Sequence, residues 1–297
     1  MLFRHWFLQF SFLLILTACG LEKAKGPLHP EVQIASDCLY PKDTILFDKF
    51  KKTTGISVRI KHETADRILS DLRREKLLTD FDFIVLHGTS AIQFTEASTL
   101  FMSIPKDSIP KKISKNYVSK ERKIIGLGFD PFILVTSQPS VSIRPTYASL
   151  YDSLIWCSDL FETSDWSAYA DFLKNSPKLK GKNPKLNCVK LLRENDTLRY
   201  ADVLFTKYSN FLKKKSLKNF RNGTILFPDQ KRGGYAYDMP VCMIVNQAYN
   251  YSNAYRLLHY LIDNDGNKFV NRALGTFPLH SGKKLKRSKR SPIQRIK

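Results

Sequence analysis

Apolar positions in the first third of the chain follow two different periods. Three short runs rich in β-branched residues have the length of strands, namely EVQIAS, ISVRIKH and FDFIVLHG. Between them, DTILFDKFKKTTG and TADRILSDLRREKLL carry apolar residues at helical spacing, and SAIQFTEASTL follows the third strand. The alternation of strand and helix predicts an α/β fold, in which helices cover both faces of a mostly parallel sheet.

The rest of the chain continues this alternation beyond a proline-containing joint, SQPSVSIRP. Before the joint lie the predicted strands KIIGLGFD and FILVTS. After it we predict the strand SLIWCSD, the helix SDWSAYADFL, helical segments at 188–216, the strand VCMIVN and two closing helices. A second α/β unit is therefore expected between the N-terminal unit and the C-terminal helices.

The first residues have the pattern of an export signal. Arg4 and His5 precede an apolar run from Trp6 to Leu16, which is too short to span a bilayer as a stable helix. The following LTAC resembles the lipobox of bacterial lipoproteins, which implies lipidation of Cys19. We expect a signal peptide at 1–18, an anchor linker at 19–26, and a mature protein attached by lipid to a bacterial membrane in the cell envelope.

The formal net charge of +21 raises the question of a nucleic-acid partner. The predicted export argues against one, and eight of the basic residues lie in the last fifteen positions, KKLKRSKRSPIQRIK, without an acidic residue. Such a block is typical of a solvated tail. Residues 283–297 are therefore predicted to be a disordered basic tail, with contact to anionic lipid or cell-wall polymers as the alternative.

Four cysteines follow Cys19, at positions 38, 157, 188 and 242. In an exported protein they allow two disulfides with three possible pairings. Cys157 and Cys242 lie in apolar runs and suit buried thiols equally well. The spacing matches no CxxC or zinc-cluster pattern.

The order of the segments resembles that of bacterial extracellular solute-binding proteins of ABC importers, in the branch that includes ferric-iron binders. The stretches that carry the resemblance are FDKFKKTTGISVRI, ADRILSDLRREKLLTDFDFIVLHG, IIGLGFDPFILVTS, RPTYASLYDSLIWCSDL and NAYRLLHYLIDNDGNKFVNRALGTFPLHSG. Together they cover most of residues 32–282.

The resemblance implies a type II periplasmic-binding-protein-like α/β fold with two lobes. Each lobe would be a mixed sheet flanked by helices, and FILVTS and VCMIVN would be the crossing hinge strands. Lobe 1 would comprise residues 27–135 plus 242–282, and lobe 2 residues 136–241. The implied function is that of a monomeric, non-enzymatic binding protein that delivers a small ligand to a membrane permease.

Loop residues at the strand ends are the candidate ligands, because small molecules bind beyond the carboxyl ends of strands in such sheets. They are Tyr40, His87, Gly88, Thr89, Ser90, Asp130, Ser158, Asp159, Tyr235 and Tyr237. Fe³⁺ as cargo favours phenolate, carboxylate and imidazole donors, which makes Tyr235, Tyr237, Tyr40 and His87 the predicted metal set. The chain contains no adjacent pair of tyrosines.

Three other interpretations remain open. The amides of Gly88, Thr89 and Ser90 could hold a small anion at a helix N-terminus, and the cleft could instead take an organic solute such as a polyamine or a thiamine-like molecule. A surface adhesin on the same fold would need no small ligand. An enzyme would need a catalytic pair such as His87 with Cys38, and no catalytic motif or catalytic cofactor is expected.

Overall fold

The computed structural model describes residues 31–74, 80–111, 113, 117–137, 156–158, 188–190, 203–213, 224–228, 237–279 and 294–295, with backbone only at 156, 157, 188–190, 294 and 295. All of them belong to one unit, Glu31–Lys297. Cys19, Asp159 and Tyr235 lie outside the described residues. No helix in this part of the chain is long and apolar enough to cross a membrane.

The first sheet is mixed and has five strands. They are β1 Glu31–Ser36, β2 Ser57–His62, β3 Phe83–Leu86, β4 Ile125–Gly126 and β11 Val241–Ile244, in the order β2-β1-β3-β11-β4. β1 runs parallel to β2 and β3, whereas β11 runs antiparallel to β3 and β4. β3 and β11 are buried along their whole length, as expected for central strands covered on both faces. The three strands predicted near the N-terminus are confirmed.

Helices cover both faces of this sheet. The helices of the described residues are α1 Asp48–Thr54, α2 Ala65–Arg74, α3 Gly88–Thr95, α4 Tyr208–Lys213, α5 Tyr251–Ile262 and α6 Asn264–Leu274, with 3-10 turns at Pro41–Phe47, Ser98–Leu100 and Lys106–Ser108. Ile34 of β1 packs with α1 and α5, while the next residue, Ala35, packs with α2 and α3 on the opposite face. Gly55 ends α1 with a φ of 74°, a left-handed conformation that glycine adopts without strain.

The second sheet is built around β5 Gly128–Thr136. The other strands are β6 Trp156–Ser158, β7 Cys188–Lys190, β8 Val203–Lys207, β9 Thr224–Leu226 and β13 Gln294–Arg295, in the order β13-β9-β5-β8-β6-β7, and β10 Tyr237–Asp238 and β12 Phe277–Pro278 also pair with β5. β13 falls within the predicted basic tail, whose other residues lie outside the described part of the chain. Two mixed sheets flanked by helices confirm the predicted fold class.

The helical segments predicted at 188–216 are wrong where β7 and β8 lie and confirmed at Tyr208–Lys213, which is the helical part of the described residues in this region. Short apolar runs such as VLFTK fit a buried strand and a buried helix equally well by periodicity. The pairing of β8 with β5 and β6 on its two sides decides in favour of the strand.

The chain passes between the sheets earlier than the sequence predicts. The first passage is at Leu127, between β4 and β5, and the return is through Met239 and Pro240, between β10 and β11. The segment FILVTS therefore lies inside the second sheet, where β5 pairs with β8 and β9, and the predicted boundary at 135 falls too late. The two passages touch, since the Leu127 N–H donates to the Pro240 carbonyl at 2.7 Å.

Two of the cysteines are free thiols. Cys38 and Cys242 are both buried and form no disulfide. The side chains of Cys157 and Cys188 lie outside the described residues, so the disulfide alternative is restricted to that pair.

Two buried asparagines of α6 hold the first passage between the sheets. The side-chain amides of Asn267 and Asn271 both donate to the Leu127 carbonyl oxygen, at 2.7 and 2.8 Å. The side-chain Oδ1 of Asn267 also accepts the N–H of Leu279 at 3.0 Å. A single residue thus binds the passage and the chain beyond α6.

Replacement of Asn267 by alanine should lower the free energy of unfolding by about 1–3 kcal/mol, because the half-buried Leu279 N–H loses its acceptor and the buried Leu127 carbonyl loses one of its donors. Chemical denaturation followed by tryptophan fluorescence measures this change. Lys268→Ala, an exposed neighbour on the same helix, is the matched control and should leave the midpoint nearly unchanged. Equal midpoints for Asn267→Ala and the control would contradict the role of Asn267.

Candidate functional site

Polar residues from two neighbouring strands meet at the carboxyl edge of the first sheet. Ser36 ends β1, and its hydroxyl accepts the N–H groups of Cys38 and Leu39 at 3.1 and 2.9 Å, which turns the chain tightly. The Asp37 carboxylate then accepts the N–H of His87, which follows β3, at 2.8 Å. The loops after β1 and β3 are therefore held together by a side chain.

This turn brings three metal-ligating side chains together. One ligand atom each of Asp37, Cys38 and His87 lies within 4.8 Å of the other two. Asp37 is half-buried, the His87 side chain is 32% exposed, and Cys38 is buried. Burial raises the pKa of the Cys38 thiol well above its usual value, and the Asp37 charge raises it further.

Asp238, at the end of β10, connects this edge with the second sheet. Its Oδ1 accepts the N–H groups of Thr89 and Met239, at 3.0 and 2.9 Å. Its Oδ2 lies 2.9 Å from the Lys207 ammonium and 3.4 Å from the buried Nδ1 of His87. Burial opposes ionisation of Asp238, but Lys207 and His87 together outweigh it and keep the pKa of this carboxyl well below its usual range.

Asp130 belongs to the same region but has a structural partner. It lies opposite Asp238 in the β5–β10 pair and accepts hydrogen bonds from both the N–H and the hydroxyl of Ser209. Burial raises the pKa of Asp130 to about 6, and Lys207 opposes this shift in part. The predicted ligand Asp130 is thus a buried residue that fixes the start of α4.

The N-terminus of α3 already contacts a negative charge of the protein itself. The Asp238 carboxylate binds the Thr89 amide, at the position where the sequence suggested a bound anion. Gly88 is required there, because a Cβ at this residue would lie 2.5 Å from the Met239 carbonyl oxygen and 2.7 Å from Asp238 Oδ1. Ser90 is half-buried on the same turn. This arrangement disfavours the anion alternative.

The predicted tyrosines are separated from one another. Tyr40 is 46% exposed and stacks on His62, with ring centroids 4.1 Å apart. Tyr237 is 44% exposed and contacts the edge of Phe129. Since successive residues of a strand face opposite sides, Tyr237 points away from the face that carries Asp238 and His87.

Of the remaining predicted ligands, Ser158 is the one that the structure describes. Ser158 is buried, with 1% exposure, at the end of β6. Asp159 and Tyr235 lie outside the described residues. The residues that the sequence reasoning left out of the site are Asp37, Cys38, Lys207 and Asp238, of which Asp37 and Cys38 could have been found from their position directly after β1.

Comparison with known proteins concerns the fold. No family model and no curated protein matches the chain. A Bordetella ferric binding protein matches with a TM-score of 0.68 at 16% identity, over 85% of this chain and 87% of that chain. Ferric iron-binding protein A of Mannheimia haemolytica, in an open conformation, gives 0.67 at 18% identity, over 85% and 86%. The fold is periplasmic-binding-protein-like.

A third match extends this likeness to a ligand-bound structure. A Trichodesmium protein in complex with iron and citrate has a TM-score of 0.63 at 17% identity, over 90% of this chain and 89% of that chain. The first two of these proteins are named for ferric iron, and the third was solved with iron and citrate. At these identities the likeness establishes the fold, and the ligand has to be argued from this chain's own residues.

Replacement of Lys207 by methionine should cost about 3–5 kcal/mol of unfolding free energy, because Asp238 would remain buried without its ammonium partner. Chemical denaturation of the variant and the parent protein measures the loss. Lys49→Met is the matched control, since Lys49 forms an exposed ion pair with Asp265 at 2.6 Å, and exposed pairs contribute little. A similar loss in both variants would contradict a special role for the buried pair.

Proposed function

We propose that this protein is the substrate-binding subunit of an ABC-type importer and captures a small metal cargo, an ion or its chelate, between the two sheets. The observation that carries the proposal is the convergence of Asp37, Cys38 and His87 at the carboxyl edge of the first sheet. The passages between the sheets lie directly beside it, through Asp238 and Met239. A ligand at such an edge can contact both lobes and favour their closure.

Ferric iron or an iron chelate is the cargo that the fold neighbours suggest, since their names specify ferric iron, and one was solved with iron and citrate. Tyr40, His87 and Tyr237 are the described members of the predicted metal set. Because Tyr237 lies on the other face of β10 from Asp238, this alternative depends most on Tyr40, His87 and Tyr235. The partners in this proposal are a membrane permease and the ligand, with the chain acting as a monomer.

Ferric citrate added to chelator-stripped protein should raise its melting temperature, since a ligand at a hundred times its Kd contributes about 2.7 kcal/mol. His87→Ala should remove most of this shift, whereas His259→Ala, on α5 beside Tyr255, should keep it. Binding through phenolate would add a visible charge-transfer band that Tyr40→Phe, Tyr235→Phe or Tyr237→Phe weakens. Tyr249→Phe, an exposed tyrosine before α5, is the control for that band.

The same melting assay separates the alternatives. A shift with phosphate-like anions or organic solutes, and none with any metal, would contradict metal capture and favour the anion or organic-solute function. A protein that responds to no small molecule would support the adhesin.

The membrane attachment through Cys19 is part of this proposal. Mass spectrometry of the mature protein from membranes should find a lipid-modified N-terminal Cys19, and Cys19→Ser should yield protein that is no longer retained on the membrane. Several acyl chains would hold the protein firmly, since each buried methylene contributes about 0.8 kcal/mol. An unmodified N-terminus at another residue would contradict the anchor.

A further inference from the structure

We infer that Asp37, Cys38 and His87 form a binding site for a borderline divalent metal ion of the Zn²⁺ class, with the Cys38 sulfur as a direct ligand. The inference rests on the proposed capture of a metal cargo and names the class of metal. It differs from the hard ferric ion that the neighbouring structures suggest, because it follows from the donor atoms of this chain.

The spacing of the three donors is close to that of a metal site. Their ligand atoms lie within 4.8 Å of one another. Tetrahedral zinc with bond lengths of about 2.0–2.3 Å requires donors roughly 3.3–3.8 Å apart. Side-chain rotations that move the donor atoms by about 1 Å therefore close the site around an ion. The backbone is already arranged for this, since Asp37 binds the His87 N–H and Ser36 binds the Cys38 N–H.

The imidazole of His87 has the environment of a metal ligand. Its Nδ1 is buried, lies 3.4 Å from the Asp238 carboxylate and forms no hydrogen bond among the described residues. Histidines that bind metals usually donate one ring N–H to a carboxylate, which orients the ring. A small rotation of the His87 ring would form this hydrogen bond to Asp238, whose other oxygen is held by the Thr89 and Met239 amides. Asp238 would then orient His87 without being a ligand.

The donor types around the thiol favour a borderline cation. The Asp37 carboxylate and the His87 imidazole each place one ligand atom within 4.8 Å of the sulfur, while the charge of Asp238 is balanced by Lys207. A bound metal removes the thiol proton and supplies the positive charge that the buried sulfur lacks. Thiolate and imidazole donors suit Zn²⁺ and related ions, whereas hard cations prefer oxygen donors.

The site is open on one side, which suits a cargo that is bound and released. Three protein ligands leave the fourth tetrahedral position for water or for a donor of a small chelator. Asp37 and His87 are partly exposed, whereas Cys38 is buried, so two of the three donors can be reached by an ion from solvent.

Cobalt titration tests the sulfur ligand directly, with the full chain in detergent, stripped by a chelator and reduced with a phosphine. One equivalent of Co²⁺ should produce a near-ultraviolet thiolate-to-cobalt charge-transfer band, and Zn²⁺ should displace it. Cys38→Ser should abolish the band and weaken Zn²⁺ binding by about tenfold or more. Cys242→Ala, which removes the other free buried thiol, should leave both unchanged.

The other outcomes of the titration each support or overturn the zinc-class site. A band that persists in folded Cys38→Ser, or no band in the unaltered chain, would overturn the inference. If ferric citrate raises the melting temperature and neither Co²⁺ nor Zn²⁺ binds, the zinc-class site fails while metal capture stands; if no metal binds, both fail. Should Cys38→Ser not fold, Asp37→Asn replaces it, and it should keep the band while weakening Co²⁺ binding.

Discussion

The buried ion pair between Asp238 and Lys207 is the interaction on which this structure depends. Both side chains are almost fully buried, and Asp238 also binds the Thr89 and Met239 amides. A carboxylate buried without such partners would cost several kcal/mol, so the surrounding groups must remain in place. The pair joins a strand of the second sheet to the first turn of α3, and it lies where the chain returns to the first sheet.

Hydrogen bonds hold the two passages between the sheets in place. Asn267 and Asn271 bind the carbonyl oxygen of Leu127, and the Leu127 N–H binds Pro240. Gly88 permits α3 to approach Met239 more closely than any larger residue would. These contacts fix the positions at which the chain changes from one sheet to the other.

The candidate site combines a shared fold with this chain's own donors. The fold matches that of ferric-binding proteins, and the donors at the carboxyl edge of the first sheet include a thiol. In the proposed metal site, side-chain chemistry at a few loop positions would set the preferred metal, while the sheets would set its position. Asp37, Cys38 and His87 are adjacent because β1 and β3 are parallel neighbours, which brings their carboxyl ends to the same edge.

The sequence by itself determined the class of fold and most elements of the first sheet. The apolar runs of β1 and β3 and the helical stripe of α2 are local patterns, and they predicted the strands and helix that form. It also identified His87 as a residue at the cleft, because a strand followed by a helix places its loop there. Such patterns are visible within one segment.

Only the tertiary structure decided which residues act together. β8 looked helical by periodicity, and its pairing with β5 made it a strand. Asp238 and Lys207 are 31 residues apart and Thr89 and Asp238 are 149 apart, so no local pattern relates them. Tyr237 has the predicted phenol donor but lies on the opposite face of β10 from Asp238, because the register of β10 against β5 turns Asp238 toward His87. Contacts between distant segments depend on the energy of the whole fold, which a local pattern cannot express.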